Sequence, residues 1–281
     1  MEKITGGSFD EERALYGKRG IEVINCRFEG PADGESALKE SSDISVRDSY
    51  FDLRYPFWHD TGLQIRNCEM TEKCRAALWY SKDILIEDSI LHGIKALREC
   101  SDVTIKGCAV VSPEFAWSVN GIEIEDTSIE SEYFLMRSED VRFRNVRLTG
   151  KYSFQYVKNA VIEDCELNTK DAFWHAENVT VRRSVINGEY LGWYSKDLTL
   201  EDCIIRGTQP LCYCRGLKLI NCEMIDCDLS FERSEVDADV KGEILSIKNP
   251  LSGIIRADGA GEIIRDDPMF KGKIICGGRE I

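Results

Sequence analysis

The residues best suited to chemistry lie between residues 150 and 195 of the sequence. Asp171 and Glu189 are expected on neighbouring rungs of a repeat, offset by one position, which puts their carboxylates about 5–10 Å apart. That range covers both the retaining and the inverting geometry of glycoside hydrolases. His175 or Lys170 could instead be the proton-abstracting base of a lyase. The alternative is an exposed ladder of ion pairs formed by Lys170, Asp171 and Glu189, with no catalytic role.

Aromatic residues accompany these four candidates and would pack against the C–H faces of a sugar. The predicted substrate-binding residues are Trp174, Trp193, Tyr194, Tyr152, Tyr156, Tyr190, Trp79 and Trp58. Strand alternation would place the tryptophans and a charged column on one outer face, separated by small residues such as Ala77, Ala96 and Ala172. An interior stack of tryptophans is the competing interpretation.

A repeat defines these positions, and its clearest copy is VTIKGCAV at Val103–Val110. The pattern is apolar, any, apolar, any, Asn/Asp/Gly, Cys/Ser/Thr, any, apolar. Starts recur every 19 residues from Ile84 to Val236, whereas the starts at Ile21, Ile44, Leu63 and Ile84 are separated by 23, 19 and 21 residues. A unit this short cannot bury its own apolar face, so the repeat predicts one continuous solenoid.

Each unit contains two short strands, a third strand ending in the last apolar residue, and Asn, Asp or Gly at the corners. This predicts an all-β, single-stranded parallel β-helix of about twelve coils. Residues 1–281 would form one domain, with coils over 21–240 and caps at 1–20 and 241–281. A leucine-rich repeat would need a helical return in each unit, and a left-handed β-helix would need a period divisible by six.

The cysteines favour a structural role over metal binding or disulfides. Six of the twelve fall in one column of the repeat, where other units carry Ser or Thr, so the position requires a small interior side chain. No C-x-x-C pair occurs, and no acidic triplet has the spacing of calcium ligands. We therefore expect reduced thiols, no metal site and no cofactor.

The net charge of −14 disfavours nucleic acid and anionic membranes as partners. No apolar run approaches the length of a membrane span, and we expect a cytoplasmic protein. An oligosaccharide is the expected partner, and the oligomeric state stays open.

Several phrases resemble a known family: EERALY (Glu11–Tyr16), GESALKE (Gly34–Glu40), YPFWH (Tyr55–His59), KDAFWHAENVTV (Lys170–Val181) and GEYLGWYSK (Gly188–Lys196). The chain is similar to right-handed parallel β-helix proteins of the pectin-lyase-like kind. More narrowly, it resembles an uncharacterised bacterial family of unknown function that sometimes carries a "hydrogenase" label. The resemblance implies the right-handed fold but supplies no catalytic residues, and the cysteine pattern gives the label no support.

Two functions are consistent with the sequence. The first is a carbohydrate-active hydrolase, lyase or isomerase with its site on coils eight to ten, where Arg183 replaces the corner Asn or Asp. The second is a non-catalytic glycan-binding or scaffold solenoid. The fold alone does not choose between them.

Overall fold

The computed structural model describes residues 2–31 and 34–281. The chain is an all-β parallel solenoid of about 14 turns with a period of about 19 residues, which confirms the fold class predicted from the repeat. Within the described residues, no helix is long and apolar enough to cross a membrane. Two compact units divide the chain, Met1–Asp140 and Val141–Ile281.

The first unit consists of two parallel ladders and a short return. Its main ladder contains Glu2–Thr5, Ile21–Ile24, Ser42–Arg47, Thr61–Arg66, Lys82–Glu87, Ser101–Lys106 and Asn120–Glu125. Its second ladder contains Ser8–Phe9, Arg27–Phe28, Tyr50–Phe51, Glu69–Met70, Ile90–His92, Ala109–Val111 and Ser128–Ser131. The return strands are Phe57–Trp58, Leu78–Trp79, Leu97–Arg98, Glu114–Phe115 and Tyr133–Phe134.

The second unit repeats this plan, and the strand Glu139–Arg144 contains the boundary between the units. Its main ladder contains Lys158–Glu163, Glu177–Arg182, Lys196–Glu201, Leu217–Ile225, Glu235–Lys241, Ser252–Ala257 and Lys273–Cys276. Its second ladder contains Arg147–Lys151, Glu166–Lys170, Val185–Asn187 and Ile204–Arg206, which pairs with the end of Leu217–Ile225. Glu243–Lys248 pairs with Gly259–Ile264, and Arg279–Glu280 returns antiparallel on Lys273–Cys276.

Additional turns at both ends explain why the structure has about 14 turns instead of twelve. Glu2–Thr5 pairs in register with Ile21–Ile24. At the other end, Ser252–Ala257 pairs with Glu235–Lys241 and also with Lys273–Cys276. These segments lack the full motif, so the sequence pattern alone did not reveal them as coils.

The core is built by stacking identical repeat positions. Ile84 pairs with Leu63 on one side and Val103 on the other. Phe28 stacks on Phe51 with ring centroids 4.6 Å apart. Because the period is constant over most of the chain, each apolar side chain finds its counterpart in the next coil, and a continuous core results.

The Cys/Ser/Thr column satisfies backbone groups at a corner. Ser49 Oγ accepts from the Cys26 N–H at 3.1 Å and donates to the Arg47 carbonyl at 2.8 Å. All twelve cysteines lie within the described residues and are free, and eleven of them are buried. Burial raises the pKa of the Cys68 and Cys165 thiols to about 11. The cysteines thus occupy structural positions, as the column predicts.

One outer position of the main ladder carries charges of alternating sign, from Arg66 to Glu125 in the first unit and from Arg144 to Glu201 in the second. In the second unit, Arg182 bonds Glu201 at 2.9 Å and lies 3.6 Å from Glu163. In the first unit, Lys106 pairs with Glu125 at 3.2 Å. Each pair is partly exposed and contributes about 0–1 kcal/mol, but like charges would meet if a strand skipped a coil. The ladder therefore favours the correct order of coils.

The return segment differs from the expected alternating strand. Asp171, Phe173 and His175 have φ of 56°, 59° and 54°, so every second residue is left-handed. As a result Ala172 and Phe173, which are neighbours in sequence, are both fully buried. Ala77 and Ala96 are fully buried as well. The prediction that these small residues lie on the outer face is wrong, because side chains alternate between the two faces of a strand only where the backbone is extended throughout.

Candidate functional site

The outer face of the second ladder in the second unit carries a column of hydrogen-bonding side chains. The strand Glu166–Lys170 exposes alternate residues, and Asn168 is one of them. The Asn187 side-chain amide donates to Asn168 Oδ1 at 2.7 Å, and the Arg206 guanidinium donates to Asn187 Oδ1 at 3.3 Å. We call Asn168, Asn187 and Arg206 the amide column. Sequence reasoning missed it, although the three residues recur at intervals of 19.

Lys170 and Glu189 form an ion pair next to the amide column. Lys170 Nζ lies 2.7 Å from Glu189 Oε2, and about half of each side chain is exposed. The hydrogen bond to Glu189 raises the pKa of Lys170, so its ammonium is retained at neutral pH. The ammonium also lies 5.1 Å from the centroid of the Tyr190 ring. This environment favours Lys170 in the role of a positively charged binding group over the role of a proton-abstracting base.

Asp171 occupies a different environment from Glu189. Its residue surface is only 5% exposed, and its backbone N–H donates to the Glu189 carbonyl at 2.9 Å. Burial raises the pKa of its carboxyl, while the Lys170 charge opposes that rise. Among the described residues, none donates a hydrogen bond to this carboxylate. The Asp171 carboxyl therefore holds its proton more tightly than an ordinary aspartate, and it lies beside the ion pair of Lys170 and Glu189.

The five tryptophans join coils to one another. Each indole N–H donates to a backbone carbonyl of the next coil, at 2.7–3.0 Å, as seen for Trp58, Trp79, Trp117, Trp174 and Trp193. All five side chains are half-buried. The indoles of Trp174 and Trp193 stack at 5.4 Å. The tryptophan column is thus neither an open surface nor an interior stack, and part of each ring remains accessible.

The most exposed rings are in the next column. Tyr156, His175, Tyr194 and Tyr213 form a continuous stack with centroid separations of 5.0, 5.1 and 4.8 Å. Tyr156 and Tyr194 are 45% and 48% exposed. Because the rings cover one another's faces, this ring ladder presents mainly edges to solvent. A sugar would meet ring edges here, in contrast to the face packing expected from the sequence.

The second unit brings together most of the predicted site residues. Tyr190 packs edge-on against Trp193 at 5.3 Å, and Trp193 packs edge-on against Tyr213 at 5.4 Å. Tyr152 lies beneath the Lys151 ammonium at 5.5 Å. Trp58 and Trp79 belong to the first unit, where they stack on each other at 5.4 Å. In the described part of the chain, no group of three His, Cys, Asp or Glu residues could hold a metal ion.

Comparison with known proteins identifies a family. The family model described as "Protein of unknown function (DUF3737)" matches residues 2–275, which confirms the resemblance to a family of unknown function. No curated protein matches the chain.

Solved structures with a similar backbone fold include the A-module of the Azotobacter vinelandii mannuronan C-5 epimerase AlgE4. It has 11% identity and a TM-score of 0.39, with 84% of this chain and 87% of that chain covered. The tailspike protein of E. coli bacteriophage HK620, in complex with a pentasaccharide, has 8% identity and a TM-score of 0.32, with 86% and 53% covered. A double mutant of the periplasmic alginate epimerase AlgG has 9% identity and a TM-score of 0.32, with 91% and 76% covered. Similarity at this level says nothing about function.

Proposed function

We propose that this chain, which belongs to the DUF3737 family of unknown function, binds an extended glycan along the amide column of its second unit. The observation that supports the proposal is a hydrogen-bonding side chain on each of three successive coils, Asn168, Asn187 and Arg206. Coils repeat at about 4.8 Å, so the column offers regularly spaced polar groups to a regularly built polymer.

The amide column keeps spare hydrogen-bonding capacity. An Asn amide has two donors and two acceptor sites, and an arginine has five donors. Asn168 uses one donor toward Glu166, Asn187 uses one donor toward Asn168, and Arg206 uses one donor toward Asn187. All three side chains are partly exposed. The remaining groups can meet sugar hydroxyls, which both donate and accept.

The neighbouring aromatic residues supply the apolar part of the surface. Tyr190 and Trp193 pack edge-on at 5.3 Å, and both are half-buried. The indole N–H of Trp193 is bonded to the Gln209 carbonyl, which fixes the ring. Rigid aromatic side chains lose little conformational entropy on binding, so this surface is prepared for a ligand.

Calorimetric titration with defined neutral and acidic oligosaccharides tests the proposal. At least one glycan is expected to bind, and Asn187→Ala or Arg206→Gln should weaken its affinity about tenfold through loss of a hydrogen bond. Asn120→Ala is the matched control, because Asn120 is an exposed strand residue in the first unit. Equal weakening by the control, or no binding by any glycan at about 1 mM, would contradict the proposal.

A second candidate function is glycan cleavage at the same face, which the environment of Asp171 favours. Its carboxyl has a raised pKa and no hydrogen-bond donor among the described residues, whereas Glu189 is ion-paired with Lys170. In this mechanism Asp171 donates a proton to the glycosidic oxygen as its bond to the anomeric carbon breaks. The Glu189 carboxylate then either attacks the anomeric carbon itself or takes a proton from the water that attacks it. His175, held between Tyr156 and Tyr194, would contact the sugar at the edge of the site.

Product analysis separates cleavage from binding. Asp171→Asn is isosteric and tolerates the left-handed backbone, so it should fold, bind glycan as before and lose turnover by at least about a hundredfold. Turnover unchanged in Asp171→Asn and in Glu189→Gln would rule out both residues as the acid and its partner.

A further inference from the structure

The first unit contains a second site that the regular repeat does not predict. Its coils are unequal, because the interval from Ile21 to Ile44 is 23 residues and that from Leu63 to Ile84 is 21, whereas the coil between them has 19. In the sequence, the extra residues of both long coils follow the last apolar residue of the motif, which is Phe28 in one coil and Met70 in the other. A short coil between two long ones leaves a cleft.

The structure has a cleft of about 470 Å³ at this position. Leu53 and Arg54 of the short coil form its floor, and Gly30 and Pro31 of the preceding long coil form one wall. The other wall comes from the following long coil and the coil after it, with Glu72, Lys73, Arg75 and Ile94. Binding sites for small molecules typically have volumes of about 300–1,000 Å³.

The walls are held in place by the coils around them. Cys74 is buried, and its thiol donates to the Phe51 carbonyl at 3.0 Å, which anchors the extra residues of the second long coil. The next coil passes directly against them at Gly93, where φ is 116° and a Cβ would lie 3.0 Å from the Cys74 carbonyl. The cleft is therefore present before any ligand arrives.

Two of the charges that line the cleft have no ion-pair partner among the described residues. Lys73 is neutralised by Asp52 at 2.5 Å, and Arg54 pairs with Glu35 at 3.1 Å. Within residues 2–31 and 34–281, Arg75 and Glu72 make no ion pair or side-chain hydrogen bond, and both are exposed. One positive and one negative group thus face the same opening. The apolar side chains of Leu53, Ile94 and Pro31 line the same cleft.

We infer that the cleft binds a small zwitterion with apolar side chains, the class to which apolar amino acids and their short peptides belong. The Arg75 guanidinium takes the carboxylate, since its planar fork matches two carboxylate oxygens. Glu72 takes the ammonium group. The apolar part of the ligand covers Leu53 and Ile94, and its burial contributes affinity that a simple salt would lack.

Leucyl-leucine tests the inference as a probe, by calorimetry or ligand-observed NMR on the full chain. Its N-acetyl derivative lacks the ammonium, and its C-terminal amide lacks the carboxylate. Leucyl-leucine should bind about tenfold more tightly than either derivative, because each derivative loses one charge-assisted hydrogen bond. Binding of all three with equal affinity, or no binding of leucyl-leucine at about 10 mM, would overturn the inference.

Variants then assign each charge. Arg75→Gln should weaken leucyl-leucine and the N-acetyl derivative by about tenfold, whereas Glu72→Gln should weaken leucyl-leucine and leave the N-acetyl derivative unchanged or tighter. Ile94→Trp should block the cleft to every probe. Arg279→Gln is the matched control, since Arg279 is also exposed and makes no ion pair in the described chain. Equal weakening by Arg279→Gln would refute a role for Arg75.

Discussion

Raising the pH should destabilise the chain through one buried carboxyl group, Asp60. This residue is 1% exposed, and burial raises its pKa to about 8. Its Oδ1 accepts from the Ser41 N–H at 2.8 Å, while its Oδ2 and the Ser41 hydroxyl have no hydrogen-bond partner in the part of the chain that the structure describes. Ser41 and Ser81 hold the same repeat position in the coils on either side, so Asp60 is a carboxyl in a column made for small side chains.

The sign and size of the effect follow from proton linkage. Between the unfolded pKa near 3.8 and the folded pKa of about 8, the folded state binds more protons than the unfolded state. The contribution of Asp60 to the free energy of unfolding is therefore fully present below about pH 4 and is lost as the pH rises toward 8. The slope is about 1.4 kcal/mol per pH unit, or about 2–3 kcal/mol between pH 5 and pH 7.

Urea denaturation at pH 5, 6, 7 and 8 measures this slope. Asp60→Ser, which restores the serine of the adjacent coils, should remove the slope due to this residue and leave the variant more stable than wild type at pH 8. Asp239→Ser changes an exposed strand aspartate in the second unit and is the matched control. If wild type and Asp60→Ser show the same pH dependence, Asp60 does not bind a proton on folding and the argument from burial is wrong.

Three further predictions concern the solenoid. Trp79→Phe should lower the free energy of unfolding by about 1–2 kcal/mol, because the carbonyl that accepts its indole N–H at 3.0 Å loses its partner, and urea denaturation would show this. Gly253→Ala should lower the free energy of unfolding by at least about 3 kcal/mol in the same assay, since φ is 94° and a Cβ would lie 2.0 Å from the Val236 carbonyl oxygen. Gly242→Ala is its control, because φ there is 79° but a Cβ would have no atom within 4 Å, so this variant measures the backbone cost alone. A thiol reagent should modify no cysteine of the native protein rapidly except Cys276, the one that is not buried; rapid modification of two or more thiols would show that the column is accessible.

The strands and their order could be predicted because the sequence repeats its apolar positions at a fixed interval. Alternation within Val103–Val110 defines which side chains enter the core, and the 19-residue period defines which coil pairs with which. The terminal coils were not predicted, since Glu2–Thr5 and Ser252–Ala257 take their conformation from neighbours and not from their own motif. Edge pairing in a solenoid tolerates weak sequence signals.

The return could not be predicted, because its left-handed residues are not of the types that favour that conformation. Phe173 and Leu211 have φ of 59° and 62° although bulky residues rarely adopt positive φ. Backbone hydrogen bonds to adjacent coils hold them there, such as Phe173 N–H to the Ser153 carbonyl at 3.0 Å. Pairing with adjacent coils therefore overrides the local backbone preference. The side chains that simple alternation assigned to the outer face, such as Ala172, are buried, but the predicted site residues of the second unit still lie on neighbouring coils.

Departures from the repeat are more informative about function than the repeat itself. A regular coil is fully explained by stacking, whereas natural proteins break local rules mainly at functional sites. Two independent departures meet in the coil from Ile44 to Gly62. Its neighbours are lengthened to form the cleft over Leu53, and it carries a buried carboxyl at Asp60 whose Oδ2 has no hydrogen-bond partner among the described residues. Stacking alone does not explain a carboxyl at this position, since serine occupies it in the coils on either side, and the same coil lines the cleft through Leu53 and Arg54.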